Sequence, residues 1–290
     1  MIPASELALS PEGLPYHTHL GPDQLADNVL LVGDPGRIDL FRSLFDTIEY
    51  ESRNREMHAL TGTCYGCRFT ALSTGMGCDN IDIVLTELDA AANIDLVTGL
   101  PKSEHRRLRM VRLGTCGSLH ADLECDTAVA SAYAIGLDGL LNYYQYPEDT
   151  MAIHLEEAFC NVVACGQRMA RPYAVQASTT LLKQIAYDMP QGITVTAPGF
   201  YAPQGRHIRF APTLQHLNEQ IEAFSWNGLR VNNLEMETSG IYGMARMMGH
   251  QALTVCLVIA NRKTQQFINQ YDDHILSLAD TILQRLAATH

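Results

Sequence analysis

The sequence predicts an α/β fold on a largely parallel or mixed sheet, and three observations carry that prediction. Short apolar runs rich in β-branched residues alternate with longer stretches whose apolar residues recur at helical spacing. No low-complexity linker and no repeat of fixed period interrupts the alternation. Hydrophobic residues make up 47% of the 290 and charged residues 18%, a balance that lets one chain bury a sizeable core. The expectation is a single domain over residues 1–290.

The strand candidates, in order, are Val29–Val32, Phe69–Thr74, Met110–Gly114, Thr127–Ala134, Tyr173–Ser178 and Leu253–Ala260. The first helix signal follows Asp79, a suitable N-cap, with Ile81, Val84, Leu85 and Leu88 on one face. A second amphipathic stretch runs from His154 to Met169, and a third follows Glu237 and stops near Gly249, a natural C-cap. The last helix carries Ile275, Leu278, Ile282 and Leu286 as one stripe. Cys64-Tyr65-Gly66-Cys67 has the spacing of a redox or zinc motif. It lacks a second such pair and nearby paired histidines, so it reads as a turn between strands.

The net charge of −12, from 32 acidic and 20 basic residues, argues against a nucleic-acid partner, which needs a basic face. A small anion remains possible, because a few arginines and backbone N–H groups suffice. No run of about 20 apolar residues is present, so no membrane association is expected. The N-terminal stretch has acids and prolines and no basic-then-apolar signal, so the expected location is the cytoplasm, with the eight cysteines reduced.

Three strand ends carry chemistry. Val32-Gly33-Asp34-Pro35-Gly36-Arg37 is a buried strand entering a glycine turn and a helix. It fits an anion held by free N–H groups and Arg37, and equally a plain strand–turn–helix connection. In Arg109-Met-Val-Arg112-Leu-Gly114-Thr115-Cys116-Gly117, Arg112 lies inside an apolar run. Its charge there needs an anionic partner, either a buried carboxylate or a bound phosphate. Ser73-Thr74-Gly75-Met76-Gly77 is a third end of this type. In an open α/β sheet such ends gather a ligand. Glu235-Met236-Glu237 precedes a helix, so its acids could accept ribose hydroxyls or simply suit the helix dipole. There is no Walker A loop and no GxGxxG after a strand, which leaves nucleotide-triphosphate and nicotinamide chemistry unsupported.

Taken in order, these segments resemble the nucleoside phosphorylase superfamily, the one that contains uridine phosphorylase, from about His19 to Gln266. The resemblance implies a central mixed sheet closed into a distorted barrel and flanked by helices. It implies phosphorolysis of a nucleoside to a free base and ribose 1-phosphate, with inorganic phosphate as co-substrate and no cofactor. Phosphate would meet Gly33, Arg37, Arg112, Thr115 and Arg55, with Arg55 donated by a neighbouring subunit. Ribose would meet Thr115, Glu235, Met236, Glu237 and a neighbour's His19. Phe200-Tyr-Ala-Pro-Gln204-Gly-Arg206 resembles the uracil-holding signature, with Ile259 and Ala260 as the apolar wall. Catalysis would rest on Gln204, Arg206 and Glu237.

Purine-cleaving relatives carry an acid where this chain has Asn261, which favours uridine over a purine nucleoside. The alternatives are a purine or broad-specificity phosphorylase and a non-catalytic nucleoside-binding protein. The donated residues imply a homodimer as the smallest active unit and a trimer of dimers as the expected assembly. Cys116 stands in place of a threonine, Ala260 is smaller than the usual wall residue, and Asn80 replaces a serine. No metal ion is expected, and Glu56, Met76 and Asn80 mark where a monovalent cation lies in some members.

Overall fold

A computed structural model describes residues 2–147, 149–163, 166 and 168–289. Strand β1 (Asn28–Val32) is buried throughout, as an apolar run in a parallel sheet requires. It feeds α1 (Gly36–Phe41). Strands β2 (Thr47–Asn54), β3 (Met57–Cys64) and β4 (Cys67–Ser73) then form an antiparallel meander. The Cys64–Cys67 segment is the turn expected: the cysteines pair in register, and Tyr65 and Gly66 both have positive φ, 50° and 71°. Two-residue hairpins favour that conformation.

Helix α2 (Cys78–Asn93) is followed by the short pair β5 (Ile94–Asp95) and β6 (Leu100–Pro101) and by the long β7 (Arg109–Ser118). Next come β8 (Ala128–Gly136), α3 (Thr150–Val162), β9 (Tyr173–Gln176), α4 (Thr179–Ile185) and β10 (Gln191–Thr196). The chain continues with α5 (Leu217–Ala223), β11 (Ser225–Trp226), β12 (Leu229–Glu235) and α6 (Thr238–Met247). It closes with β13 (Gln251–Asn261), β14 (Gln266–Phe267) and α7 (Asp272–Ala287).

The main sheet runs β11-β12-β10-β8-β13-β7-β1-β4-β3-β2. Its middle curls into a ring, because β12 also pairs with β7 through Asn233–Ser118 and Leu234–Gly117. The five strands of that ring are parallel at β7–β13, β8–β10 and β10–β12 and antiparallel at β13–β8 and β12–β7. This is the mixed, barrel-like sheet expected. One apolar core lies against β1, β3, β4 and β7 under α2, α6 and α7, and a second between β8, β10 and β12 and helices α3 and α5.

Strands β2, β3, β10 and β12 did not stand out in the sequence. Their Thr, Ser and Asn side chains break the apolar pattern, but several pair across the sheet. Thr61 meets Thr70 at 2.8 Å, Ser131 meets Thr194 at 2.5 Å, and Thr194 donates to Asn233 at 2.8 Å. Buried hydroxyls so paired cost little.

Two helix starts also differ from expectation. Gly77, at φ 92°, occupies the N-cap of α2, and Asp79 falls in the first turn, where its charge still suits the dipole. Helix α3 begins four residues before His154, because the Asp149 carboxylate caps it by accepting from the N–H groups of Met151 and Ala152. It ends at Val162. The expected continuation to Met169 crosses residues 164, 165 and 167, which lie outside the described residues.

Candidate active site

The closure of β12 onto β7 brings the carboxyl ends of β1, β7, β12 and β13 around one cavity of about 1030 Å³. The strand expected over Met110–Gly114 runs on to Ser118 between β13 and β12. Gly114 serves packing there. A Cβ at this position would lie 2.6 Å from Cζ and 3.0 Å from Nη2 of Arg112, so glycine leaves room for the guanidinium to lie along its own strand.

Arg112 is almost fully buried. Its Nη2 donates to Glu237 Oε2, its Nη1 lies 3.5 Å from Glu235 Oε2, and Nη1 also donates to Cys256 Sγ at 3.4 Å. The partner that the sequence left open is therefore a pair of carboxylates. Burial opposes the charge of Arg112, but the two acids outweigh burial and raise its pKa. The Nε–H of Arg112 is buried and has no partner.

The two acids differ in their duties. Glu235 accepts from Thr196 Oγ1 at 2.6 Å, from the Glu237 N–H at 2.9 Å and from the Thr238 N–H at 3.0 Å. Both of its oxygens are thus engaged in bracing the start of α6. Glu237 accepts from the Gly77 N–H at 2.7 Å on one oxygen and from Arg112 on the other. Burial, with help from Glu235, raises the Glu237 pKa against the pull of Arg112 and the Gly77 amide.

Arg37 reaches the same cavity from α1 and donates to Thr115 Oγ1 at 3.4 Å. No acid among the described residues pairs with it. In the same cavity, Arg206 donates to the Phe200 carbonyl and to Gln204 Oε1 at 2.6 Å, with its guanidinium 3.7 Å from the centre of the Phe200 ring. Arg262 donates to the Gln204 carbonyl and, at 3.2 Å, to Gln204 Oε1. Burial, then the charge of Arg206, pushes Arg262 down to about 10. Burial also lowers Arg206. Two arginines without an acid therefore flank one buried glutamine.

Residues 27–286 match the model of the phosphorylase superfamily. The chain belongs to the phosphorylase superfamily. A uridine phosphorylase of Thermococcus kodakarensis is 28% identical over 270 residues, covering 91% of this chain and 83% of that protein. A DeoD-type purine nucleoside phosphorylase of Caldanaerobacter subterraneus is 27% identical over 243 residues, covering 83% and 86%. Among solved structures, a Trypanosoma brucei nucleoside phosphorylase, described as showing uridine phosphorylase activity, superposes with a TM-score of 0.84 at 28% identity. That match covers 98% of this chain and 100% of the other.

In this phosphorylase-superfamily chain the cavity gathers most of the positions picked from sequence. Gly33, Arg37, Arg112 and Thr115 line it, as do Glu235, Met236 and Glu237 and the base-side set Phe200, Gln204, Arg206, Ile259 and Ala260. His19 and Arg55 do not. Arg55 sits at the β2–β3 hairpin tip with its guanidinium 5.9 Å from the Tyr16 ring, while the adjacent Glu56 lines the cavity. Glu56, Met76 and Asn80 meet at one wall, but the Asn80 amide donates to the Met76 carbonyl at 3.3 Å, so that carbonyl already has a partner. Sequence reasoning missed Arg262. A charged residue directly after a buried strand was its signal.

Proposed function

We propose that this superfamily member is a uridine phosphorylase of pyrimidine nucleoside salvage, converting uridine and phosphate to uracil and ribose 1-phosphate. The observation that carries the reading is the acid-free cluster of Gln204, Arg206 and Arg262 lining one cavity together with Arg37, Thr115, Met236 and Glu237. Uracil offers two carbonyl acceptors and one N–H donor, and the cluster offers guanidinium donors and an amide able to give and accept.

Phosphate sits against Arg37, Thr115, the Gly33 turn and the spare Nε–H of Arg112, with Arg55 of a second copy. Glu237, fixed by Arg112 and Gly77, accepts a ribose hydroxyl, and His19 of the second copy touches the far end of the sugar. The C1′–N1 bond breaks, and its electron pair leaves with uracil. Arg206 and Arg262 stabilise that charge as it develops. A phosphate oxygen then bonds to C1′ from the opposite face. Holding both reactants in place accounts for roughly 7–11 kcal/mol of the barrier. Residues 1–290 act as one domain, in the cytoplasm, as a dimer or a trimer of dimers.

Asn261 favours this over a purine substrate. Its amide donates to the carbonyls of His120 and Leu123, both at 2.8 Å, and its oxygen accepts from the Lys263 and Thr264 N–H groups, both at 3.0 Å. Neither end is left for a purine ring. The deciding experiment is base release from uridine, deoxyuridine, thymidine, inosine and adenosine, with and without phosphate. Phosphate-dependent release of uracil above the other bases is expected. Faster release from inosine would overturn the substrate, and release without phosphate would overturn the reaction.

A further inference from the structure

The segment Tyr16–His19 is held by one buried side chain far away in sequence. Glu87, on α2, is 6% exposed. Its Oε1 meets His17 Nδ1 at 2.6 Å and accepts from the His17 N–H at 3.1 Å. Its Oε2 accepts from the Thr18 N–H at 2.7 Å and from Thr18 Oγ1 at 2.9 Å. Strand β2 grips the same segment from the other side. Asn54 Nδ2 donates to the Tyr16 carbonyl at 2.8 Å and to the His17 carbonyl at 3.0 Å, and the Tyr50 hydroxyl donates to the His19 carbonyl at 2.7 Å.

Between these grips His19 adopts φ 52°, and Arg55, against Tyr16, adopts φ 54°. Left-handed backbone at non-glycine residues is costly and persists where the surroundings over-determine it. The clamp does that for His19. His19, which the clamp fixes, and Arg55, which lies against Tyr16, are the two expected site positions that do not line this chain's own cavity.

We propose that Glu87 is a positioning residue: it locks the Tyr16–His19 segment so that His19 is presented, preorganised, to the active site of a neighbouring copy. This rests on the reading that His19 acts in a second copy's site. Helix α2 thereby serves two sites. Its N-cap places Glu237 through the Gly77 N–H, and its third turn places the donated histidine.

The test is a double-mutant cycle on kcat/KM for uridine with Glu87→Gln and His19→Ala. Glutamine keeps the shape of Glu87 but not its charge, and one of its two terminal atoms can no longer accept. Misplacing a contact group by about 1 Å costs on the order of 10²-fold, so Glu87→Gln should lower kcat/KM by up to about that factor. In the double variant the loss should equal that of His19→Ala alone. Thr18→Val, a milder variant that removes one bond to Glu87, should move kcat/KM in the same direction and likewise add nothing to His19→Ala. Losses that multiply, or a folded Glu87→Gln enzyme with full kcat/KM, would overturn the proposal. Mixing His19→Ala with Arg206→Ala copies tests the underlying reading separately. Regained activity supports donation between copies, and none regained overturns it, whatever the cycle shows.

Discussion

A single methyl group should expose what holds the centre of the site. Gly114→Ala adds a Cβ 2.6 Å from Cζ and 3.0 Å from Nη2 of Arg112, well inside the ~3.5–4.0 Å of a good contact. The backbone is no obstacle, because Gly114 is not among the positive-φ residues. The guanidinium must therefore swing away from Glu237 and Glu235. Overpacking alone costs about 1–3 kcal/mol. Separating a buried ion pair costs about 3–5 kcal/mol, because it leaves uncompensated charge. The second effect is the larger, so a loss of roughly 3–5 kcal/mol is expected, with kcat/KM falling alongside.

Urea unfolding at fixed protein concentration measures this for Gly114→Ala, Arg112→Ala and the double variant. In the Arg112→Ala background the methyl enters space the guanidinium has left, and its cost should drop below about 1 kcal/mol. An equal cost in both backgrounds would refute the reasoning, since the strain would then lie in the strand and not in the arginine.

Three further outcomes follow from the same geometry. Gln204→Glu should draw Arg206 and Arg262 into ion pairs and withdraw their donors from the base, lowering kcat/KM for uridine about 10²-fold, measured by uracil release. Asn261→Asp cannot donate to the His120 and Leu123 carbonyls, so it should cost about 2–4 kcal/mol in urea unfolding and should confer no release of base from inosine. Glu51, held down to about 2 chiefly by Arg42 and also by His58 and Arg53, has a folded pKa below its unfolded value. Its stabilisation is present above the unfolded carboxylate range and fades as pH falls toward about 2. The Tm gap between the wild type and Glu51→Gln should therefore close between about pH 5 and pH 2. It should be small throughout and smaller in high salt, because the pair is exposed.

The strand ends were legible before any coordinates because their chemistry is local. A run such as Val29–Val32 entering Gly33 declares a buried strand and a tight exit, and Arg112 inside an apolar run declares a buried charge in need of a partner. Which partner it takes was not legible. Glu235 and Glu237 lie more than a hundred residues away, and only closure of β12 onto β7 sets them beside Arg112. The same holds for Arg262, whose role appears once β13 delivers it to the Gln204 amide.

Local composition thus determined the α/β alternation, the family resemblance and the residue types at the cavity. Long-range pairing decided strand registers such as those of β10 and β12, where polar side chains mask the period until a partner strand satisfies them. It also decided which arginines keep an uncompensated charge. A charge is read from one residue, but whether it is neutralised depends on what lies within a few ångströms in space, and the linear chain does not encode that proximity residue by residue.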